Sequence, residues 1–118
     1  MKFQFLNPTV HGLLDYLAAG ALIVLPMVLG LTGVALWPSV AGGVGLILYS
    51  LFTDYRFGIV HVLSYDLHLL LDLTAGVAFV VMPLVLKFDA FTSVYYFVMA
   101  AGVIAVVAFS RRPSALTA

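Results

Sequence analysis

Apolar residues run along the chain in four stretches, separated by short clusters of polar and turn-forming residues. The stretches cover roughly 11–34, 38–53, 67–86 and 91–109. Inside each, the apolar positions are continuous rather than alternating, the pattern of a helix enclosed by lipid or core and not of a half-exposed strand. A helix needs about 20 apolar residues to cross the hydrocarbon of a bilayer. Three stretches approach that length, and the second does so only by using residues before Trp37 or beyond Thr53. Closed barrels are the only other architecture that satisfies backbone groups in lipid, and they require alternation. The predicted fold is all-α, with four transmembrane helices.

Composition narrows the picture. Of 118 residues, 64% are hydrophobic and 8% charged, with mean hydropathy +1.20. A soluble domain carries about 25% charged residues, so the polar cover that a small domain needs in water is missing. The zero net charge removes the electrostatic case for nucleic acid. Cysteine is absent, which excludes disulfides, thiolate metal sites and cysteine nucleophiles. The acids are five aspartates: Asp15, Asp54, Asp66, Asp72 and Asp89. Lys2 before an apolar run suggests a signal peptide. The run is longer than a signal core, however, and no small-x-small site leads into a soluble domain, so it reads as a retained first helix.

Charge also orients the chain. Lys2 with the amino terminus, Arg56, Arg111 and Arg112 fall on one side of a four-helix topology, and Lys87 beside Asp89 falls on the other. The positive-inside bias predicts a multi-pass protein of the inner (plasma) membrane with both termini and the 54–66 loop in the cytoplasm. Trp37 and the Tyr95-Tyr96 pair are then expected among headgroups at the opposite face.

The sequence carries an internal repeat. Residues 11–30, HGLLDYLAAGALIVLPMVLG, align without a gap on 68–87, HLLLDLTAGVAFVVMPLVLK, with ten of twenty positions identical. His11 pairs with His68, Asp15 with Asp72 and Pro26 with Pro83 at a constant offset of 57. The offset continues more weakly through Gly45/Gly102, Ile47/Ile104 and Phe52/Phe109. This reads as a tandem duplication of a two-helix hairpin within a single membrane domain, repeat 1 covering about 8–56 and repeat 2 about 65–113. With an even number of spans per unit, the two repeats insert in parallel, related by an axis along the membrane normal. Equivalent residues then share one depth.

The unit, with its acid near a polar start, small-residue helix and late proline, resembles the SPW-repeat family of small bacterial integral membrane proteins. The opening LNPTVHGLLDY is similar to four-helix relatives of that type. Where the family has Ser-Pro-Trp, this chain has Leu25-Pro26-Met27 and Met82-Pro83-Leu84. The resemblance covers most of the chain and implies a fold and a location, with no reaction or cofactor.

The sharpest chemistry is His-x-x-x-Asp, occurring at His11/Asp15 and His68/Asp72. A spacing of four puts both side chains on one helix face, which continues as Ala18/Ala19 and Leu22 in the first helix and as Ala75/Gly76 and Phe79 in the third. Small residues on that face allow close helix approach, and an aspartate one turn inside an apolar run points into the bundle rather than to lipid. Two imidazoles and two carboxylates at one depth can ligate a divalent metal, relay protons or hold a haem axially. A haem would require a homodimer for room. The blander reading is that no cofactor is bound and each aspartate pins the helix interface by hydrogen bonds.

Other signals are weaker. The loop DYRFGIVHVLSYD (54–66) is expected to pair Arg56 with an aspartate and lay Phe57 to Leu63 in the interface. Pro26 and Pro83 predict matched kinks, and Gly42, Gly43, Gly45 and Gly102 predict close packing. GGVG lacks the Lys-Ser/Thr of a phosphate loop. No nucleophile with a base appears, which weighs against an enzyme. The expected protein is a structural or accessory membrane protein with the bilayer as its main partner, a homodimer being admitted. The alternative is a membrane metal, haem or proton site.

Overall fold

The computed structural model describes residues 3–111. Lys2, Arg112 and the last residues assigned to the second unit lie outside them. Four helices follow in order: α1 (Pro8–Val28), α2 (Trp37–Leu51), α3 (Tyr65–Val85) and α4 (Ala90–Phe109), with a short 3-10 turn, Gly33–Ala35, leading into α2. All four are long and apolar enough to cross a membrane, the second when its 3-10 turn is included as Gly33–Leu51. No strand occurs among the described residues.

The helix limits follow from local chemistry. Asn7 caps α1 by accepting from the Val10 amide at 2.8 Å, and Pro8 stands in the first turn, where its missing N–H costs nothing. Ser64 caps α3 in the same way, accepting from the Leu67 amide at 3.1 Å, while Asp66 complements the dipole in the first turn. Asp89 caps α4 through the Thr92 amide, and that N–H holds its carboxyl below the usual carboxylate range.

The first apolar stretch runs to about 34, yet α1 ends at Val28. Gly30 turns left-handed at φ 77°, its amide and that of Leu31 closing on the Met27 and Pro26 carbonyls. Lys87, 57 positions on, takes the same conformation at φ 54° without glycine's freedom. A side chain there costs about 1–2 kcal/mol. Lys87→Gly is therefore expected to raise stability by up to about 1 kcal/mol after the added freedom of the unfolded chain is subtracted. Reversible unfolding in mixed micelles checks this, with Gly30→Ala expected to move the other way.

Within each hairpin the helices approach through one small residue. A Cβ on Gly43 of α2 would stand 2.8 Å from the Ala19 carbonyl oxygen and 2.7 Å from Ile23 Cγ1. In the second hairpin the glycine is on the other helix: a Cβ on Gly76 of α3 would meet Ile104 at 2.7 Å, and Ala100 of α4 faces it. Gly45 and Gly102, expected to pack closely, have open space at that position.

Pro26 cannot donate to the Leu22 carbonyl, and the Ser39 hydroxyl does so instead at 2.7 Å. Tyr95, expected among headgroups, donates to Ser39 Oγ at 2.6 Å, and Tyr96 donates to the Ala35 carbonyl at 2.7 Å. Both tyrosines are buried. They join the hairpins at this end, whereas Trp37 lies exposed beside them as an interfacial residue would. Between the two ends, Leu22, Leu46, Phe79 and Ala100 form the core. The outward faces, carrying Leu17, Val28, Leu84 and Val85, are exposed and apolar, a surface that suits lipid.

Candidate functional site: a buried His/Asp centre

The starts of α1 and α3 and the ends of α2 and α4 meet at one end of the bundle. The last turns of α2 and α4 are built alike. The Thr53 amide closes on the Ser50 carbonyl and the Ser110 amide on the Val107 carbonyl, which leaves the carbonyls of Tyr49 and Val106 without their usual amide donors. Hydroxyls take over. Thr53 Oγ1 donates to the Tyr49 carbonyl at 2.6 Å, and Ser110 Oγ donates to the Val106 carbonyl at 2.5 Å. Extended segments lie alongside, with the Leu6 and Leu63 amides donating to the Phe109 and Phe52 carbonyls.

These hydroxyls orient two histidines. His11 Nδ1 lies 2.6 Å from Ser110 Oγ, and His68 Nδ1 lies 2.7 Å from Thr53 Oγ1. Each hydroxyl has one hydrogen and gives it to a carbonyl, so its oxygen accepts from Nδ1–H. Nδ1 of each ring therefore carries a hydrogen, and each Nε2 faces the interior either as the N–H of an imidazolium or as a lone pair open to a cation.

Both Nε2 atoms meet carboxylates. His11 Nε2 is 2.9 Å from Asp15 Oδ2 and 2.9 Å from Asp72 Oδ2. His68 Nε2 is 2.5 Å from Asp15 Oδ2 and 3.4 Å from Asp72 Oδ2. All four side chains are buried, and one ligand atom from each lies within 4.8 Å of the others. The imidazoles predicted from the two motifs do converge, their ring centroids 5.5 Å apart. The sequence placed each His and Asp on one helix face. The structure adds the crossing, in which each histidine also reaches the aspartate of the other hairpin.

Tyrosines enclose the centre. The Tyr49 hydroxyl donates to Asp72 Oδ1 in a short hydrogen bond. The Tyr65 ring stands 5.5 Å from His11 and 6.3 Å from His68. Tyr55, from the loop, covers His68 at 5.3 Å, and burial pushes its phenol above the ordinary value, leaving it an uncharged lid. Gly12 permits this cover, since a Cβ there would stand 3.0 Å from the Tyr55 ring. Elsewhere in the loop, exposed Asp54 pairs with His61 at 3.2 Å rather than with Arg56, and Ile59 and Val62 are exposed.

Thr53, Ser110 and Tyr49 went unread in the sequence. The offset of 57 relates Thr53 to Ser110, the positions next to Phe52 and Phe109, so the repeat itself carries the signal for both hydroxyls. It carries none for Tyr49, because Val106 stands at the corresponding place. No protein-family model, no curated protein and no solved structure matches the chain.

Proposed function

We propose that the chain is a small multi-pass protein of the plasma membrane, with both termini cytoplasmic. In this reading it is built from two tandem parallel hairpins and its His/Asp centre holds one divalent transition-metal ion in an accessory role. One observation carries the reading. With both Nδ1 atoms committed to hydroxyls, two Nε2 atoms and two carboxylates face one another across 2.5–3.4 Å. Four acceptors at that range repel unless positive charge lies between them. Two protons or one divalent cation neutralise the two carboxylates, and a net charge left in the low-dielectric interior is costly.

The donor set suits zinc. Metal–ligand bonds of about 2.0–2.1 Å place tetrahedral ligand atoms about 3.3 Å apart, close to the widest N···O separation of 3.4 Å and wider than the two of 2.9 Å and the shortest of 2.5 Å, so a metal would spread the ligands. The hydroxyls on Nδ1 supply the outer support that metal-bound histidines require. Four protein ligands close the coordination sphere, which favours holding a metal over catalysis. A haem fits poorly, because its plane would have to pass between imidazoles already bridged by two carboxylates. The duplication is supported by the matched caps, turns and hydroxyl-histidine contacts at an offset of 57, and the SPW-like pattern agrees with it.

Purified protein is expected to carry or take up one zinc per chain by elemental analysis, and its cobalt form to show the visible bands of a tetrahedral site. His11→Ala/His68→Ala is expected to lose both. Wild-type protein that stays metal-free after titration with either ion would overturn the metal reading. The two-proton form, in which the centre only pins helices, would replace it.

A further inference from the structure

Asp15 and Asp72 occupy matching positions with unlike surroundings. Asp72 Oδ1 accepts from the Tyr49 hydroxyl, and the Tyr49 ring stands edge-on to His68 with centroids 4.9 Å apart. Beside Asp15 the corresponding residue of α4 is Val106, which is shorter and has no donor. Asp15 Oδ1 accepts no hydrogen bond among the described residues, and it is not fully enclosed, so the little exposure of this side chain, 7%, includes that oxygen. In place of a phenol, a cleft of about 320 Å³ opens between α1 and α4, lined by Asp15, Ala18, Met99, Gly102, Val103 and Val106 among others. Asp15 is its one charged residue. At the rim Val98 is exposed toward the outward face.

Where such a cleft opens to lipid, a carboxylate oxygen that lines it without a donor carries a desolvation cost. The group that relieves it must donate one hydrogen, fit a narrow apolar slot and arrive through lipid. Ala18 and Gly102 give the slot a wall free of long side chains, suited to a flat ring. Across the bundle, Tyr49 exhibits the solution in covalent form. We propose that the α1/α4 cleft binds a lipid-soluble phenol, its hydroxyl donating to Asp15 Oδ1 and its ring taking the place beside His11 that Tyr49 takes beside His68. The site uses the Asp15 oxygen that the metal reading leaves unused, so it goes beyond that reading.

The test uses 2-naphthol and its methyl ether, which has nearly the same shape and no donor, in equilibrium dialysis against the protein in nanodiscs, with empty nanodiscs subtracted. One saturable phenol per chain is expected, with the ether at least about ten-fold weaker, the loss of a hydrogen bond to a charged group. Val106→Tyr, which supplies the phenol covalently, is expected to abolish binding with zinc content unchanged. Gly102→Leu blocks the cleft at a position where a Cβ meets nothing within 4 Å, and serves if Val106→Tyr does not fold. Uptake no greater than that of empty nanodiscs, equal uptake of phenol and ether, or binding undiminished in both variants would each overturn the proposal. Zinc analysis of the same samples is a separate readout, so the failure of one site is distinguishable from failure of the other.

Discussion

His11→Leu is expected to destabilise the bundle by about 3–5 kcal/mol, the cost of leaving a buried charge without its partner. The substitution removes the imidazole that contacts both Asp15 Oδ2 and Asp72 Oδ2, and leaves two carboxylates facing each other with a single histidine between them. A different outcome is expected when the whole centre is made apolar. Combining His11→Leu, Asp15→Leu, His68→Leu and Asp72→Leu with Tyr49→Phe removes every ionisable member and the phenol that donates to Asp72. Apolar replacement of a complete buried ion cluster is often neutral or stabilising, so metal-free protein with all five changes is expected within about 2 kcal/mol of wild type. Reversible unfolding in mixed micelles measures both variants. A single substitution costing under about 1 kcal/mol would mean that water reaches the centre. Repeating the measurement in excess zinc adds a further contrast, because a ligand stabilises only the state that binds it. Wild type is expected to gain, and the five-fold variant is not.

Gly43→Ala is expected to cost about 2–3 kcal/mol, the upper part of the range for overpacking. The new methyl would sit 2.8 Å from a backbone oxygen of α1, and backbone cannot swing aside. Gly76→Ala is expected to cost less, since the methyl there meets mainly the Ile104 side chain, with the Ala100 oxygen at 3.7 Å. The second hairpin also indicates the rescue. It places glycine on the first of its two helices and alanine on the second, the reverse of the first hairpin. Ala19→Gly/Gly43→Ala transfers that arrangement, and because the Ala19 carbonyl oxygen and Ile23 stay in place, it is expected to recover only the part of the loss that a shift of α1 against α2 relieves. Additive costs in this pair, measured by the same unfolding titration, would show that the two positions do not share one contact.

The four helices were legible because an unbroken apolar run leaves no other spanning structure, and the two histidines and two aspartates were legible because few polar residues exist to compete with them. The crossing was not legible. Spacing along one helix fixes a face, whereas the bond from His11 to Asp72 depends on how two hairpins dock. The apolar stretch overruns the end of α1 because hydropathy continues past Val28, while the left-handed turn at Gly30 stops the helix regardless of it. Tyr95 and Tyr96 were assigned to the interface from residue type. Burial drew them inward, where the proline at position 26 had freed the Leu22 carbonyl that Ser39 now occupies.

The reciprocity of the contacts at the centre has a consequence for assembly. His11 bonds to the aspartate and hydroxyl of the second hairpin, and His68 bonds to those of the first. Contacts of the form i to j and j to i define an isologous surface, one complementary to its own copy. Each hairpin therefore offers the same set of bonds to the other half of its own chain and to the matching half of a neighbouring molecule. Two chains that exchanged hairpins would keep the pattern, and the loop from 52 to 64 is the segment such an exchange would have to open. Its amides are committed to the end of α2, with Ile59 and Val60 on the Leu51 carbonyl and Val62 and Leu63 on that of Phe52. That fold-back keeps the start of the second hairpin against the end of the first, so an exchange of hairpins would first have to break these four bonds.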